Sequence, residues 1–303
     1  MAVTKAVQTG DFSGFIRPEL AEAYFEEVRK VSIAQTLARQ VPLSANGVDV
    51  PIVTSKPTAG WVSEGGQKPT TNGGLGIKTM TPKKLAAIVP VSAEVVRSNP
   101  GGFMEILKQD IAEAFAKAFD AAALHGTDSP FGSDQNLAAT AKTVTLGTST
   151  AAKGGLFADI NEGLNVLAKD RKRLTGFALD TVVEPMLNSS VDNNGRPIFT
   201  ASPTTGTAES VVAGTLLGRP AVFAEGIAPA TTTGSVVGFG GNWSKCIWGT
   251  VGGITFDVST EAAVTIGGKL VSLFENNLVA VRAEAEFGWL LADKDSFVKY
   301  TLK

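Results

Sequence analysis

An α+β chain of about two domains is what this sequence predicts, and three patterns predict it. Apolar residues step by four from Phe103 to Phe119, apolar and charged residues alternate from Val279 to Phe287, and a Pro- and Gly-rich stretch separates extended segments at Val48 and Ile77. The first is helical periodicity, the second is that of a half-buried strand, and the third outlines a long hairpin. With 303 residues, 44% hydrophobic, 18% charged and 33 glycines, the composition is that of a folded, turn-rich chain.

Residues 1 to 17 are small and polar, and Gly10 and Gly14 break any pattern, so this is an extended arm that finds its partners on something else. Phe12 and Phe15 are its candidate contacts. Pro18 opens a helix in which Leu20, Tyr24, Phe25, Val28 and Val31 share a face, opposite Glu22, Glu26, Glu27, Arg29 and Lys30. It is expected to fray before Pro42. Val48, Val50 and Ile52 then alternate into the hairpin, whose tip runs from Lys56 to Gly76. Trp61, Val62 and Glu64 stand there among glycines, too little apolar content for a local core, so the tip is either disordered or ordered by a neighbour.

After an apolar run from Leu85 to Val91, Asn99 is placed to cap a helix with Pro100 at its first position. Phe103, Leu107, Ile111, Phe115 and Phe119 form its apolar row, and Glu105, Lys108, Glu113 and Lys117 lie off it. About six or seven turns long, this helix ends at Gly126. The Thr-, Ala- and Gly-rich stretch 138–155 reads as a crossing between lobes. A further helix is predicted from Asp159, with Glu162 completing a capping box, to near Leu174. The remainder is mostly strand, including Val279, Val281, Ala283, Ala285 and Phe287 alternating with Arg282, Glu284 and Glu286. No internal repeat is visible.

Several functions are disfavoured. A net charge of -2, from 27 basic and 29 acidic residues, does not suit a dedicated nucleic-acid binder. The one cysteine, Cys246, excludes an internal disulfide and a thiolate metal cluster; it suits a reducing cytoplasm and reads as a buried apolar side chain. Met1 to Gly10 lacks signal-peptide order, and no apolar run approaches the roughly 18 residues of a membrane span, so no membrane association is expected. Gly267-Gly268-Lys269 and Gly74-Leu75-Gly76 are incomplete as phosphate or dinucleotide loops and read as turns. His125, the only histidine, reads as a helix C-terminal cap or packed side chain. No cofactor, metal or catalytic triad is therefore expected. A carboxylate pair drawn from Asp257, Glu261, Glu284 and Glu286 leaves a hydrolase as the alternative of a different class, although their spacing singles out no two of them.

Short motifs add a family resemblance. Ala59-Gly60-Trp61-Val62-Ser63-Glu64-Gly65, then Lys84-Leu85-Ala86 and Val91 to Val96, Asp192 to Pro197, Leu217 to Val222, Gly238 to Trp243 and the closing stretch Arg282 to Phe297 occur in one order over roughly residues 45 to 300. That series resembles the tailed-bacteriophage major capsid proteins of the Hong Kong 97 type. The resemblance implies an L-shaped tile with an N-terminal arm (1–18), a helix leading into a peripheral domain (19–46) and an extended loop (47–88). It further implies a peripheral domain with a spine helix (89–154), an axial domain (155–255), and peripheral strands with a final strand returning to the axial domain (256–303). Such a tile would self-assemble as hexamers and pentamers into an icosahedral virion shell around double-stranded DNA, in the host bacterial cytoplasm.

Partners implied are further copies of the chain, a separate scaffolding protein, since the chain begins directly at the arm, a portal and a decoration protein. Trp61, Val62, Glu64 and Lys68 would meet neighbouring subunits, as would Phe12 and Phe15, and Gly195, Arg196, Pro197, Gly218, Arg219 and Pro220 would form axial turns. Gly65, Gly66, Gly73, Gly74 and Gly76 are either hinges or turn formers. Some members weld the shell by a lysine–asparagine bond assisted by a glutamate. Glu275 falls at the glutamate's place, but Gly268 stands where the asparagine would be, Asn276 and Asn277 are displaced, and Lys56, Lys68 and Lys78 are generic loop lysines. An encapsulin, a cargo compartment of the same fold, is the alternative within the resemblance.

Overall fold

Period-two alternation buries one face of a strand and leaves the other to solvent, and this pattern at 281–287 marks the strand around which the larger core forms. The computed structural model describes residues 32–98, 103–150, 153–190, 199–201, 211–229 and 232–303. From its start the chain forms α1 (Ile33–Leu37), β1 (Arg39–Gln40), β2 (Val48–Ser55), β3 (Gly74–Met80), β4 (Lys83–Ser92), α2 (Ala93–Ser98) and α3 (Phe103–Asp120). Next come β5 (Thr143–Leu146), α4 (Gly155–Lys169), β6 (Gly176–Asp180), α5 (Glu184–Asn188), β7 (Phe199–Ala201), β8 (Val211–Leu216) and β9 (Arg219–Ala224). The last strands are β10 (Val236–Gly241), β11 (Cys246–Thr250), β12 (Thr255–Ser259), β13 (Ala263–Ile266), β14 (Lys269–Ser272), β15 (Leu278–Leu291) and β16 (Phe297–Leu302).

Two larger sheets result. In the first, β15 pairs along one edge with β4 and shares its other edge between β11 and β12, all antiparallel. Residues Val281, Ala283, Ala285 and Phe287 are buried on the face that meets α3, whose Leu107, Ile111, Phe115 and Phe119 are also buried. The Phe119 ring sits between Phe131, Trp248, Phe287 and Trp289, with ring centroids 5.4 to 6.5 Å away. These edge and tilted contacts favour the aromatic quadrupoles, adding about 0.5–1.5 kcal/mol per pair to their burial. The second sheet has seven strands in the order β5-β16-β10-β6-β9-β8-β7. Against it packs α4, placing Leu156, Ile160 and Leu167 in a separate core with Phe177, Leu179 and Tyr300.

The helical row of α3 is as expected, and Gly126 closes it in the left-handed region at φ 73°. The last turn, Ala121 to His125, widens to π geometry, which the alanine-rich sequence did not announce. Asn99 and Pro100 lie outside the described residues, as does the Phe103 side chain.

The helix expected to open at Pro18, with its face from Leu20 to Val31, lies outside the described residues; from Ser32, which is extended and whose hydroxyl caps it, the chain forms the short helix α1, ending at Leu37. One expectation is corrected: no helix begins at Asp159, since α4 starts at Gly155. Asp159 instead turns inward and accepts the backbone N–H groups of Gly147, Thr148 and Ser149 at 2.7 to 3.1 Å. Burial disfavours its charge, but these bonds and the Thr148 hydroxyl outweigh that and hold its carboxyl below the usual range. The carboxylate serves the three backbone donors of that turn, and the N-cap position of α4 falls to Gly154, without a side-chain cap. Glu162 meanwhile lies on the surface, accepting from Asn165 and facing Lys169.

Candidate assembly surface

The β2–β3 hairpin is the part of the molecule that leaves its own core. Its strands pair from Val48 with Met80 out to Ser55 with Gly74, with an irregularity between Val53 and Ser55. Its base is fastened. Met80 is buried with Leu43, Ile247 and Leu290, and Gly288 on β15 makes room for it. A Cβ there would stand 2.7 Å from Leu43 Cδ2 and 2.9 Å from Met80 Cγ. Lys78 adds a second fastening, donating from Nζ to the carbonyls of Leu291 and Ala292, both at 3.1 Å. Lys78 is thus a structural bolt and not a generic loop lysine.

Beyond that base the hairpin carries apolar side chains that none of the described residues covers. Val53, Leu75 and Ile77 are 63%, 78% and 71% exposed, and Trp61 at the tip is fully exposed. The tip is held in shape by its own polar atoms, with Thr58 N–H on Thr71 Oγ1 at 2.9 Å and Gly66 N–H on the Ser63 carbonyl at 3.0 Å. Of the five glycines read as hinges or turn formers, Gly65 takes a positive φ, 78°, whereas Gly74 and Gly76 are paired within β3. Glu64 and Lys68 are exposed and form no ion pair among the described residues.

A second hairpin, β13–β14, turns at Gly267 and Gly268, both at positive φ, and leads to exposed Leu270 and Phe274. Glu275 follows in the turn before β15. No lysine amine comes within ion-pair distance of it among the described residues. The neighbouring amides are occupied, Asn276 on the Ser272 carbonyl at 2.9 Å and Asn277 on Glu94 Oε1 at 2.7 Å. Within one chain, then, the components of a lysine–asparagine weld are not brought together.

At the far end of the second sheet, Leu217 and Gly218 are both left-handed and connect β8 to β9. Arg219 ties that turn down, donating from Nε to the Leu174 carbonyl and from Nη1 to the Leu217 carbonyl, each at 3.0 Å. Pro220 pairs with Thr215 in the ladder. Gly195, Arg196 and Pro197, like Phe12 and Phe15 of the arm, lie outside the described residues.

Two of the four carboxylates considered for a hydrolytic pair, and the one histidine, have other employment. Asp257 and Glu284 flank the guanidinium of Arg282 at 2.6 and 3.7 Å, and Lys84 joins Glu284 at 3.3 Å, an exposed ion-pair ladder across three strands. Both carboxylates are thus engaged by cations on neighbouring strands rather than by each other. His125 donates from Nε2 to the Ile227 carbonyl and packs its ring on Phe239, and burial pushes its pKa down, so it is neutral. Burial pushes the Cys246 thiol well up, keeping it protonated and inert. Among the described residues no group of three or more His, Cys, Asp or Glu could hold a metal, and no helix is long and apolar enough to cross a membrane.

Two buried carboxylates, Asp120 and Asp180, went unnoticed in the sequence; Asp180 accepts the Val182 and Ala228 N–H groups at 3.1 and 2.8 Å. Asp120, at the end of α3, reaches α1 and accepts the Ser32 hydroxyl at 2.7 Å, Ile33 N–H at 2.9 Å and Ala34 N–H at 3.1 Å. It thereby clamps the segment from which the chain enters the first lobe. Burial, only partly offset by these bonds, pushes its pKa up from 3.8 to about 6.

Comparison with known proteins agrees with this geometry. Residues 13–302 match the model of the Phage capsid family. The probable major capsid protein gp17 of Mycobacterium phage D29 is 39% identical over 300 residues, covering 97% of this chain and 92% of that protein. Its counterpart in Mycobacterium phage L5 is 39% identical over 308 residues, covering 98% and 93%. A solved structure from Gordonia phage Cozz superposes with a TM-score of 0.69 at 24% identity, covering 90% of this chain and 86% of that one.

Proposed function

Because this chain belongs to the phage capsid family and is a major capsid protein, a building block of the phage shell, we propose that its fastened hairpin is a strap laid across an adjoining copy. The observation that carries this is the contrast along the hairpin: a base locked by Met80 and Lys78, and an outer half whose Val53, Leu75, Ile77 and Trp61 have no cover among the described residues. A monomeric protein does not keep such a row in water without use. Copies grouped as hexamers and pentamers close an icosahedral shell around double-stranded DNA, assembled in the host bacterial cytoplasm. The arm (1–18) and extended loop (47–88) cross subunit boundaries, the lobe near 155–255 points toward capsomer centres, and a scaffolding protein, a portal and a decoration protein are the expected further partners. The role is architectural, without catalysis. The major capsid proteins among its relatives favour this over a cargo compartment.

Closed shells need contacts weak enough for misplaced tiles to leave and numerous enough to hold together. Contacts of about 4 kcal/mol each, millimolar on their own, meet both needs. Electron micrographs of the purified, expressed chain should show closed particles. Replacing Trp61 by alanine should raise the subunit concentration needed for assembly about tenfold while leaving the far-UV spectrum of the subunit unchanged. A chain that stays monomeric at high concentration, or particles indifferent to Trp61, would overturn the strap. With Asn276 and Asn277 engaged inside the chain, particles boiled in denaturant should run as monomer; a ladder of heavier species would restore the covalent weld.

A further inference from the structure

Between the end of α3 and the start of β4 lies a cavity of about 300 Å³. Leu85, Phe119, Phe131 and Phe287 line it, and Ala118 and Ala122 form its helical wall. The space arises because α3 widens there into its π turn and carries alanines where larger side chains would fill it. Lys83 and Asp128 stand on the rim, and neither forms an ion pair among the described residues, whereas the adjacent Lys84 is taken by Glu284. An open aromatic-lined cavity flanked by one unpaired cation and one unpaired anion is the form of a receptor site.

The same chain carries the complementary shape on its hairpin tip. Of four tryptophans, Trp243, Trp248 and Trp289 are buried, and Trp61 alone is exposed. Beside it are an unpaired anion, Glu64, and an unpaired cation, Lys68, both exposed. A tip cannot serve the cavity of its own molecule. Lys83 lies three residues past the hairpin's fixed base at Met80, while the tip begins at Gly74, at the other end of a strand of seven residues, about 20 Å away. The occupant is therefore a second copy. Resting on the strap reading above, we infer that Trp61 of a neighbouring subunit seats in this cavity, with Glu64 against Lys83 and Lys68 against Asp128.

An aromatic anchor in a dry pocket, ringed by charge pairs that select the partner, is how small interfaces gain both strength and register. The test uses the full chain in particles. Ala118 is the exposed residue of the cavity's helical wall, so Ala118→Trp fills the cavity from a position outside the core. It should raise the concentration needed for assembly about tenfold, as Trp61→Ala does, and the two together should be no worse than either alone. In a second experiment, particles carrying both Trp61→Cys and Ala118→Cys are oxidised and run on a non-reducing gel. Linked subunits should appear for the pair and not for either single variant, the native Cys246 being buried. If Ala118→Trp assembles like the wild type and the cysteine pair stays monomeric while Trp61→Ala still weakens particles, the strap stands and this seat is wrong. If Trp61→Ala has no effect either, both fall.

Discussion

Replacing Asp120 by alanine should destabilise the subunit by about 3 kcal/mol, the combined cost of a lost helix cap and of buried donors left without an acceptor. Its carboxylate collects the Ser32 hydroxyl and the Ile33 and Ala34 N–H groups, and among the described residues no other side chain accepts from those two backbone groups. The effect should depend on pH in a direction opposite to most carboxylates. Burial raises the Asp120 pKa from 3.8 to about 6, so the folded subunit takes up a proton that the unfolded chain does not until lower pH. Its contribution is therefore fully present below pH 3.8 and is lost as pH rises through about 6. At about 1.4 kcal/mol per unit, the difference amounts to roughly 3 kcal/mol. Denaturant melts of wild type and Asp120→Ala at pH 7 and pH 4.5 should show the gap between them widening at the lower pH. A gap that narrows would mean that the carboxyl is ionised throughout. Asp159 and Asp293, both held below the usual range, pull overall stability the other way, and the comparison between variants cancels them.

Gly163→Ala should cost the second lobe about 2 kcal/mol net, even though alanine is the better helix former by up to about 1 kcal/mol. A Cβ at Gly163 would lie 2.1 Å from the Tyr300 hydroxyl oxygen and 2.8 Å from its Cζ. Tyr300 has nowhere to retreat. It is wholly buried, its hydroxyl faces the Ile160 carbonyl at 3.4 Å, and its ring rests on Phe177 with centroids 6.3 Å apart. Adding Tyr300→Phe should recover part of the loss by removing the oxygen that collides. A thermal melt of Gly163→Ala indistinguishable from wild type would show that α4 can lift off the sheet at little cost.

How far the fold could be read in advance follows from the range of the interactions. The row Leu107, Ile111, Phe115 and Phe119 and the alternation through Val281 to Phe287 are local patterns, and both elements appear where they were expected. The hairpin was legible for the same reason, since a tip with Trp61 and Val62 among glycines has no local means of covering itself. Contacts between distant segments were not legible. Asp120 meets residues 86 to 88 positions away; its one sequence trace is the small-residue row Ala112, Ala116 and Asp120, where α1 approaches α3 closely. Asp159 followed by Glu162 imitates a capping box, and only the fold shows that its oxygens face the 147–149 turn. Lys78 looked like any hairpin lysine because the carbonyls it holds belong to residues 291 and 292. The candidate seat for Trp61 is built from α3, β4, β15 and the loop after Gly126, a combination that no single stretch of sequence displays.

The placement of the last two strands has a bearing on synthesis. β15 is the hub of the first sheet, and β16 lies between β5 and β10 in the second. Neither sheet can close while those residues are still inside the ribosome, so a nascent or prematurely terminated chain has two unfinished lobes. Translation order thus acts as a quality gate: only a polypeptide made through residue 302 acquires the folded body that a growing particle can accept.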